Sequence, residues 1–351
     1  MTRRAGTAQS TANAPGRVNL IGEHTDYNGG MVLPAALSIG IEVSLCATEG
    51  SGVTVTSDGY DTPALRDLSD DATGDWSDPI VGALREANSL GLLSGGAQVT
   101  IRSTMPEGSG LSSSAALIVA ILKASREIGH GKQCDVDLAV AARRVENDYM
   151  GVPCGIMDQM AVALATPGTA MALETKTLDW SIIPIPAGFE MVVVHSGITR
   201  KLTDGRYAAR KVECDAAKAH FGTEDLCLLS RDKVENADLD ETPKRRALHC
   251  LTEHQRVIEA VAALQSGDMT RFGALMNASH VSMRDLFEMS LPEIDALVEG
   301  AQGLGARGAR LTGGGFGGCI VACVETAQRN AWLDQLLARH PKARFIDAVS
   351  A

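Results

Sequence analysis

An α+β architecture in two lobes is expected for this chain, and three observations carry the expectation. Segments of β-branched, alternating character are interleaved with segments of helical periodicity along the whole sequence, in both halves. A break, Pro184-Ile185-Pro186-Ala187-Gly188, interrupts the pattern near the middle and divides the chain into residues 1–187 and 188–351. The length of 351 residues suits about two domains at roughly 150 residues each.

Taken in order, residues 16–47 read as strand, loop, strand, and Val53 to Ser57 as a further strand by its β-branched alternation. Asp78 to Leu92 is helical and Ala97 to Ser103 alternates as a strand. From Ser112 to Ile128 apolar residues recur at helical spacing, with serines at the start and Gly129 after the end, the pattern of a helix with hydroxyl caps. Asp137 to Tyr149 and Ile156 to Ala165 are helices, whereas Met171 to Ile185 and Phe189 to His195 are strands. Beyond the break, residues 205–221, 243–265, 269–275 and 291–304 are helical. Ala309 to Thr312 and Cys319 to Val324 form two strands around a glycine turn, followed by a helix from Trp332 to Arg339 and a strand from Ala343 to Val349.

Composition excludes several classes of function. Thirty-two Lys and Arg against 43 Asp and Glu leave a formal charge of −11, so there is no electrostatic footprint for nucleic acid or anionic lipid. Aromatic residues are only 4% of the chain, too few for a base-stacking platform. No run of 18 apolar residues marks a membrane helix, and Met1 to Gly6 lacks the apolar stretch of a secretory signal. Eight cysteines without a CxxC pair read as reduced thiols of a cytoplasmic enzyme. His249 and His254 lie on one helical stretch but on different faces, so they do not read as a metal pair.

Three glycine-rich segments hold the chemistry. In Pro106-Glu107-Gly108-Ser109-Gly110-Leu111-Ser112-Ser113-Ser114 small residues precede a helix start, where unpaired N–H groups and the positive dipole end suit a phosphate. Serine hydroxyls there can reach magnesium. The alternative is a glycine turn before a serine-capped helix without a ligand. Gly313, Gly315 and Gly318 satisfy GxGxxG, but Cys319 to Val324 reads as a strand, which rejects a dinucleotide site and favours a hairpin whose glycines approach another backbone or a ligand. In Gly16-Arg17-Val18-Asn19-Leu20-Ile21-Gly22-Glu23-His24-Thr25-Asp26 a charge sits in an apolar strand and needs a partner. Glu23, His24 and Asp26 cluster in a glycine-bounded loop suited to a polyhydroxylated ligand; the alternative is an ordinary polar loop.

Together these segments resemble the three motifs of the GHMP small-molecule kinases, and the first resembles the galactokinase signature. Met150 to Gln159 and Ser279 to Leu286 also look like galactokinase segments, so the resemblance runs from Ala14 to the C-terminus. It implies an N-terminal domain like domain 2 of ribosomal protein S5, a ferredoxin-like C-terminal domain, and ATP-dependent phosphorylation of the anomeric hydroxyl of D-galactose. The alternatives are a related sugar 1-kinase for arabinose or a galactosamine derivative, or a non-catalytic galactose and ATP sensor.

By the same resemblance Asp158 and Arg17 are the catalytic pair, and Glu23, His24, Thr25, Asp26, Gly155 and Tyr207 bind the sugar. Gly108, Ser109, Gly110, Leu111, Ser112, Ser113 and Ser114 wrap the ATP phosphates, and Ser114 and Glu146 hold Mg2+. Without the resemblance, Asp158 reads as a dipole-complementing carboxylate, Glu146 as a solvated helix residue, and Tyr207 as a half-buried aromatic. The implied partners are a small sugar and ATP, with no nucleic acid and no membrane, for a cytoplasmic monomer. The chain departs from the family pattern at His195, where asparagine is usual, in the segment His195 to Leu202, and at Arg206, where an acidic residue is common.

Overall fold

The computed structural model describes residues 8–106, 108–199 and 205–351. Met1 to Gly6, Glu107 and Arg200 to Leu202, each part of a segment considered above, lie outside the described residues. The first elements are β1 (Gln9–Asn19), β2 (Met31–Val32), β3 (Pro34–Ala47), β4 (Gly52–Ser57), β5 (Tyr60–Asp67), α1 (Asp78–Ser89) and β6 (Ala97–Ser103). Then come α2 (Ser113–Gly129), α3 (Asp135–Arg144), which runs into a π-helical turn (Val145–Tyr149), α4 (Met157–Leu164), β7 (Thr169–Glu174), β8 (Trp180–Pro184) and β9 (Phe189–His195). The remainder is α5 (Arg206–Phe221), α6 (Arg231–Glu235), α7 (Glu241–Ser266), α8 (Met269–Asp285), α9 (Pro292–Gly303), β10 (Gly308–Leu311), β11 (Cys319–Glu325), α10 (Arg329–Arg339) and β12 (Arg344–Ser350).

The mixed α+β content is as expected, with three local differences. Strand β5 was not anticipated because Tyr60-Asp61-Thr62-Pro63 is polar and carries a proline, and the strand lies at an edge where a missing N–H is tolerated. Met171 to Ile185 is not one strand but the antiparallel pair β7 and β8. Helix α8 continues ten residues past Leu275 to Asp285. Its second half buries Ser279, His280 and Ser282, so hydrophobic periodicity alone does not reveal it.

The chain forms two compact units: residues up to Gly16 with Ile39–Met105 and Ser112–Leu164, and Arg17–Ser38 with Pro106–Leu111 and Ala165–Ala351. The Pro184 to Gly188 break lies inside the second unit. In the first unit β3 pairs with β1 and β6, and β4 lies between β6 and β5. Helices α1, α2, α3 and α4 pack on one another, burying Ile118, Val119, Ile121 and Leu122 of α2.

In the second unit β9, β10, β11 and β12 form an antiparallel sheet in the order β10-β11-β9-β12. Helices separate β9 from β10, and α10 separates β11 from β12, which is the ferredoxin-like split β-α-β-β-α-β connection. Val192, Val194, Ile320 and Ala322 of the central strands join Leu297, Leu311, Trp332 and Leu336 in its core. Each such fully buried Val, Leu or Ile side chain contributes about 1.5–3 kcal/mol. The two glycine-flanked strands β10 and β11 pair directly, Leu311 opposite Ile320, so the GxGxxG match is a hairpin turn and not a helix-opening loop. Among the described residues, no helix is long and apolar enough to cross a membrane.

Candidate active site

The second unit holds the first half of the serine-glycine loop. Gly108, Gly110 and Ser112 have φ of +63°, +74° and +66°. Left-handed residues at alternate positions turn successive N–H groups toward one concave side, the geometry of an anion nest. The loop's carbonyls are tied down by the protein. Arg17, buried on β1, donates from Nη1 to Gly110 O at 2.9 Å and from its backbone N–H to Leu111 O at 3.1 Å, while Cys319 Sγ donates to Ser109 O at 3.4 Å. Among the described residues the N–H groups of Ser109, Gly110 and Leu111 donate no hydrogen bond. The glycine hairpin backs this loop. A Cβ on Gly313 would sit 3.3 Å from Gly110 O, and one on Gly318 would sit 3.2 Å from Ser109 O.

The first unit holds Ser112 to Ser114, Glu146, Gly155 and Asp158. Ser112 is the N-cap residue of α2, yet it makes no side-chain cap bond. Its Oγ donates instead to Asp158 Oδ2 at 2.6 Å, so the expected hydroxyl cap is replaced by a contact between helices. Asp158 occupies the first turn of α4, where a negative charge suits the dipole. Gly155 is buried just ahead of that turn.

Glu146 is 8% exposed on the π-helical turn, a distortion that frequently occurs at functional sites. Burial raises its pKa, the Ser114 hydroxyl lowers it, and the neighbouring Asp158 charge raises it again. Gln159 Nε2 donates to Glu146 Oε2, and Cys154 Sγ lies 3.7 Å from the same oxygen. Ser114 Oγ and Gln159 Oε1 are buried without a well-formed hydrogen bond among the described residues. The neighbouring hard oxygens of Ser114 and Glu146 fit a magnesium ion that keeps several waters.

The loop from Gly22 to Asp26 belongs to the second unit. His24 takes the left-handed conformation at φ +61°, fixed by Asn28 Nδ2 donating to its carbonyl at 2.7 Å. Its ring stacks on Phe287 with centroids 4.4 Å apart and lies 5.2 Å from the Tyr207 ring. Tyr207 is therefore brought to the loop from α5 across more than 180 residues of chain, and Asp26 of the loop is half-buried. Thr25 and Glu23 have polar atoms engaged within the protein. The Thr25 hydroxyl is turned inward to Gly22 O at 2.9 Å and Met31 O at 2.7 Å. Glu23 is 2% exposed, and its carboxylate accepts from Arg310 and from the Gly313 N–H at 2.9 Å.

Arg310 is the residue that the sequence reading overlooked. It is wholly buried on β10, pairs with Glu23, donates to Asn19 O at 3.2 Å, and lies 3.8 Å from Glu253. Glu253 accepts from the Gly22 N–H at 3.0 Å and from Ser279 Oγ at 2.5 Å. Burial pushes the Glu253 carboxyl up, but Arg256 and Arg310 outweigh it and hold the pKa at about 2. A lone charge in an apolar strand, the argument that singled out Arg17, also applies to Ala309-Arg310-Leu311 and would have found it. His249 spends its ring on Ser282 Oγ and Glu23 O, and His254 accepts from the Met31 N–H, so neither belongs to a metal set.

Comparison with known proteins identifies the family. The galactokinase galactose-binding signature matches residues 2–45, the GHMP kinases N terminal domain residues 79–166, and the GHMP kinases C terminal domain residues 260–341. A galactokinase of Glaesserella parasuis is 38% identical over 95% of this chain and 89% of its own length. The crystal structure of Lactococcus lactis galactokinase complexed with galactose matches with a TM-score of 0.93 at 32% identity, covering 98% of this chain and 94% of that one. The mevalonate kinase of Methanococcus jannaschii, 17% identical with a TM-score of 0.71 over 99% of both chains, shares the fold. By sequence, by fold and by the motifs gathered in these two clusters, the chain belongs to the galactokinase family of GHMP kinases.

Proposed function

We propose that this chain transfers the γ-phosphoryl group of ATP to the anomeric hydroxyl of D-galactose, giving α-D-galactose 1-phosphate. The observation that carries the reading is the Asp158 carboxylate held at the head of α2 by Ser112, 2.6 Å away. Phosphoryl transfer asks the protein for positioning and for charge at the transferring oxygens. In this reading Asp158 accepts a hydrogen bond from the acceptor hydroxyl and orients it, or takes its proton outright. Arg17, which grips the loop carbonyls of Gly110 and Leu111, keeps the N–H groups of residues 108–114 aimed at the triphosphate and adds positive charge there.

Ser114 and Glu146 would hold Mg2+, which when bound would offset the charge on the phosphates. His24, Asp26, Gly155 and Tyr207 would contact the sugar. Glu23 and Thr25 would act through the loop, since their polar atoms are engaged internally. The family domains are proposed to meet near 187–188, with the N terminal match at 79–166 and the C terminal match at 260–341 on either side. A monomer acting in the cytoplasm on a small sugar and ATP completes the proposal.

A second reading, a related sugar 1-kinase, draws on Arg206. It stands beside Tyr207 where the family often has an acid, and its guanidinium lies 4.4 Å from the Phe316 ring centroid. A coupled ADP assay over galactose, glucose, arabinose, galactosamine and N-acetylgalactosamine separates the two. Highest kcat/KM on galactose upholds the first reading. Turnover on none, with saturable galactose binding, makes the protein a sensor.

A further inference from the structure

Each carbonyl of the Gly108–Leu111 loop is met by a donor from the protein behind it. Arg17 takes the last two, Gly110 O through Nη1 at 2.9 Å and Leu111 O through its backbone N–H at 3.1 Å, and Cys319 Sγ takes Ser109 O at 3.4 Å. The first, Gly108 O, falls to His195 at the end of β9. In a planar trans peptide the C=O and the N–H point opposite ways. A carbonyl held toward the protein therefore turns the next residue's N–H outward, and the grip on Gly108 O aims the Ser109 N–H.

The imidazole is placed for this task. It is 1% exposed. Nδ1 accepts from the Gly197 N–H at 3.0 Å, and a backbone N–H can only donate, so the proton of the neutral ring is on Nε2. With the Nδ1 lone pair taken, Nε2 is the nitrogen that faces Gly108 O, in a contact looser than a well-formed hydrogen bond among the described residues. Gly197 stands at φ +84°, with Lys342 O where a Cβ would have to go, so only glycine brings that N–H to the ring. The same segment holds the glycine hairpin. Ser196 donates to Gly318 O from its N–H at 2.9 Å and its Oγ at 2.8 Å, and the Gly318 N–H donates to Ile198 O at 2.9 Å. Burial and the Arg344 charge lower the His195 pKa, against the Gly108 carbonyl that raises it, which keeps the ring neutral.

We infer that His195 is a positioning residue for the nucleotide: by holding the Gly108 carbonyl it presents the Ser109 N–H to an oxygen of the ATP triphosphate. The inference rests on the reading of residues 108–114 as the ATP phosphate site, where a row of outward N–H groups makes the anion nest.

Two variants separate this role from packing. His195→Phe keeps a ring of similar shape and loses both hydrogen bonds, whereas His195→Gln loses the ring and keeps an amide N–H at the reach of Nε2. His195→Phe should raise the KM for ATP roughly two- to tenfold, the size of one neutral hydrogen bond. The Kd of a non-hydrolysable ATP analogue, measured by calorimetry without sugar, should rise with it. His195→Gln should stay closer to the wild type in both constants, and the KM for D-galactose should stay within about twofold in each variant. Unaltered nucleotide constants in His195→Phe overturn the inference. So does a His195→Gln protein as impaired as His195→Phe or more so, the order that packing would give, and so does a rise of equal size in the KM for D-galactose, the mark of general distortion. Gly110→Val tests the reading underneath, since a β-branched residue does not hold the φ of +74° found there. If it leaves the KM for ATP unaltered, the phosphate reading fails and the inference with it. If it raises that KM, a negative result with the other two variants falls on His195 alone.

Discussion

Ser112 Oγ donates to Asp158 Oδ2 at 2.6 Å, and by doing so it forgoes the cap bond that a serine at the start of α2 would ordinarily make. A hydroxyl diverted from its own helix to a carboxylate on another points to a role at the site. Asp158→Asn should lower kcat by about two to four orders of magnitude, the range of a lost proton acceptor, with ATP binding intact by calorimetry. Ser112→Ala should lower kcat less and leave thermal stability nearly unchanged. Loss of the roughly 1 kcal/mol that a helix cap contributes would mean that the hydroxyl serves the helix after all.

Glu146 shares its buried corner with the Ser114 hydroxyl. Glu146→Ala should raise the Mg2+ concentration needed for half-maximal turnover and weaken Mn2+ binding to the unliganded protein, followed by electron paramagnetic resonance. Identical metal titrations for variant and parent would remove it as a ligand.

The Glu23–Arg310 pair is almost without access to solvent, at 2% and 0%. Arg310→Met strands a buried carboxylate, and removing one partner of such a pair costs about 3–5 kcal/mol. Urea unfolding should register that loss, and the double variant Arg310→Met with Glu23→Gln should recover part of it. A double variant no more stable than Arg310→Met would show that the charge was not the source of the cost.

His249 supplies a pH dependence of stability. Burial lowers its pKa from 6.5 to about 4, so the folded protein binds fewer protons than the unfolded chain between those values. Unfolding then takes up a proton, and stability falls as pH drops from 6.5 toward 4, by roughly 3 kcal/mol at most for this group. Glu253, held at about 2 against an ordinary 4.5, acts with the same sign below pH 4.5. Denaturant midpoints taken from pH 7 to 4 should fall, and His249→Gln should flatten the upper part of that slope; parallel curves would discard the histidine as the cause.

Gly318 stands at φ +80° with Ser109 O 3.2 Å from where a Cβ would be. Gly318→Ala should displace the Gly108–Leu111 loop and raise the KM for ATP about tenfold, while galactose binding measured directly survives. An unaffected KM for ATP would mean that the hairpin does not support the loop.

How much of this was readable beforehand differs by residue. The helix before Gly129, the strands on either side of the glycine turn, and the rejection of a dinucleotide site all followed from periodicity, because each depends on the pattern of one short segment. The second half of α8 did not, since Ser279, His280 and Ser282 are polar and become buried only because Glu253 and His249 on α7 satisfy two of them. Likewise nothing local to Glu23 separates a carboxylate that faces a ligand from one that faces Arg310, 287 positions away.

The order and chemistry of the motifs are properties of the chain itself: which residues bear charge, where glycine allows a left-handed backbone, and which face of each helix is apolar. Their assignments as anchor or contact are not. Those depend on which distant donor each acceptor meets in the folded chain, and long-range hydrogen bonds such as Ser112 to Asp158 and Arg17 to Gly110 exist only once folding has brought their elements together.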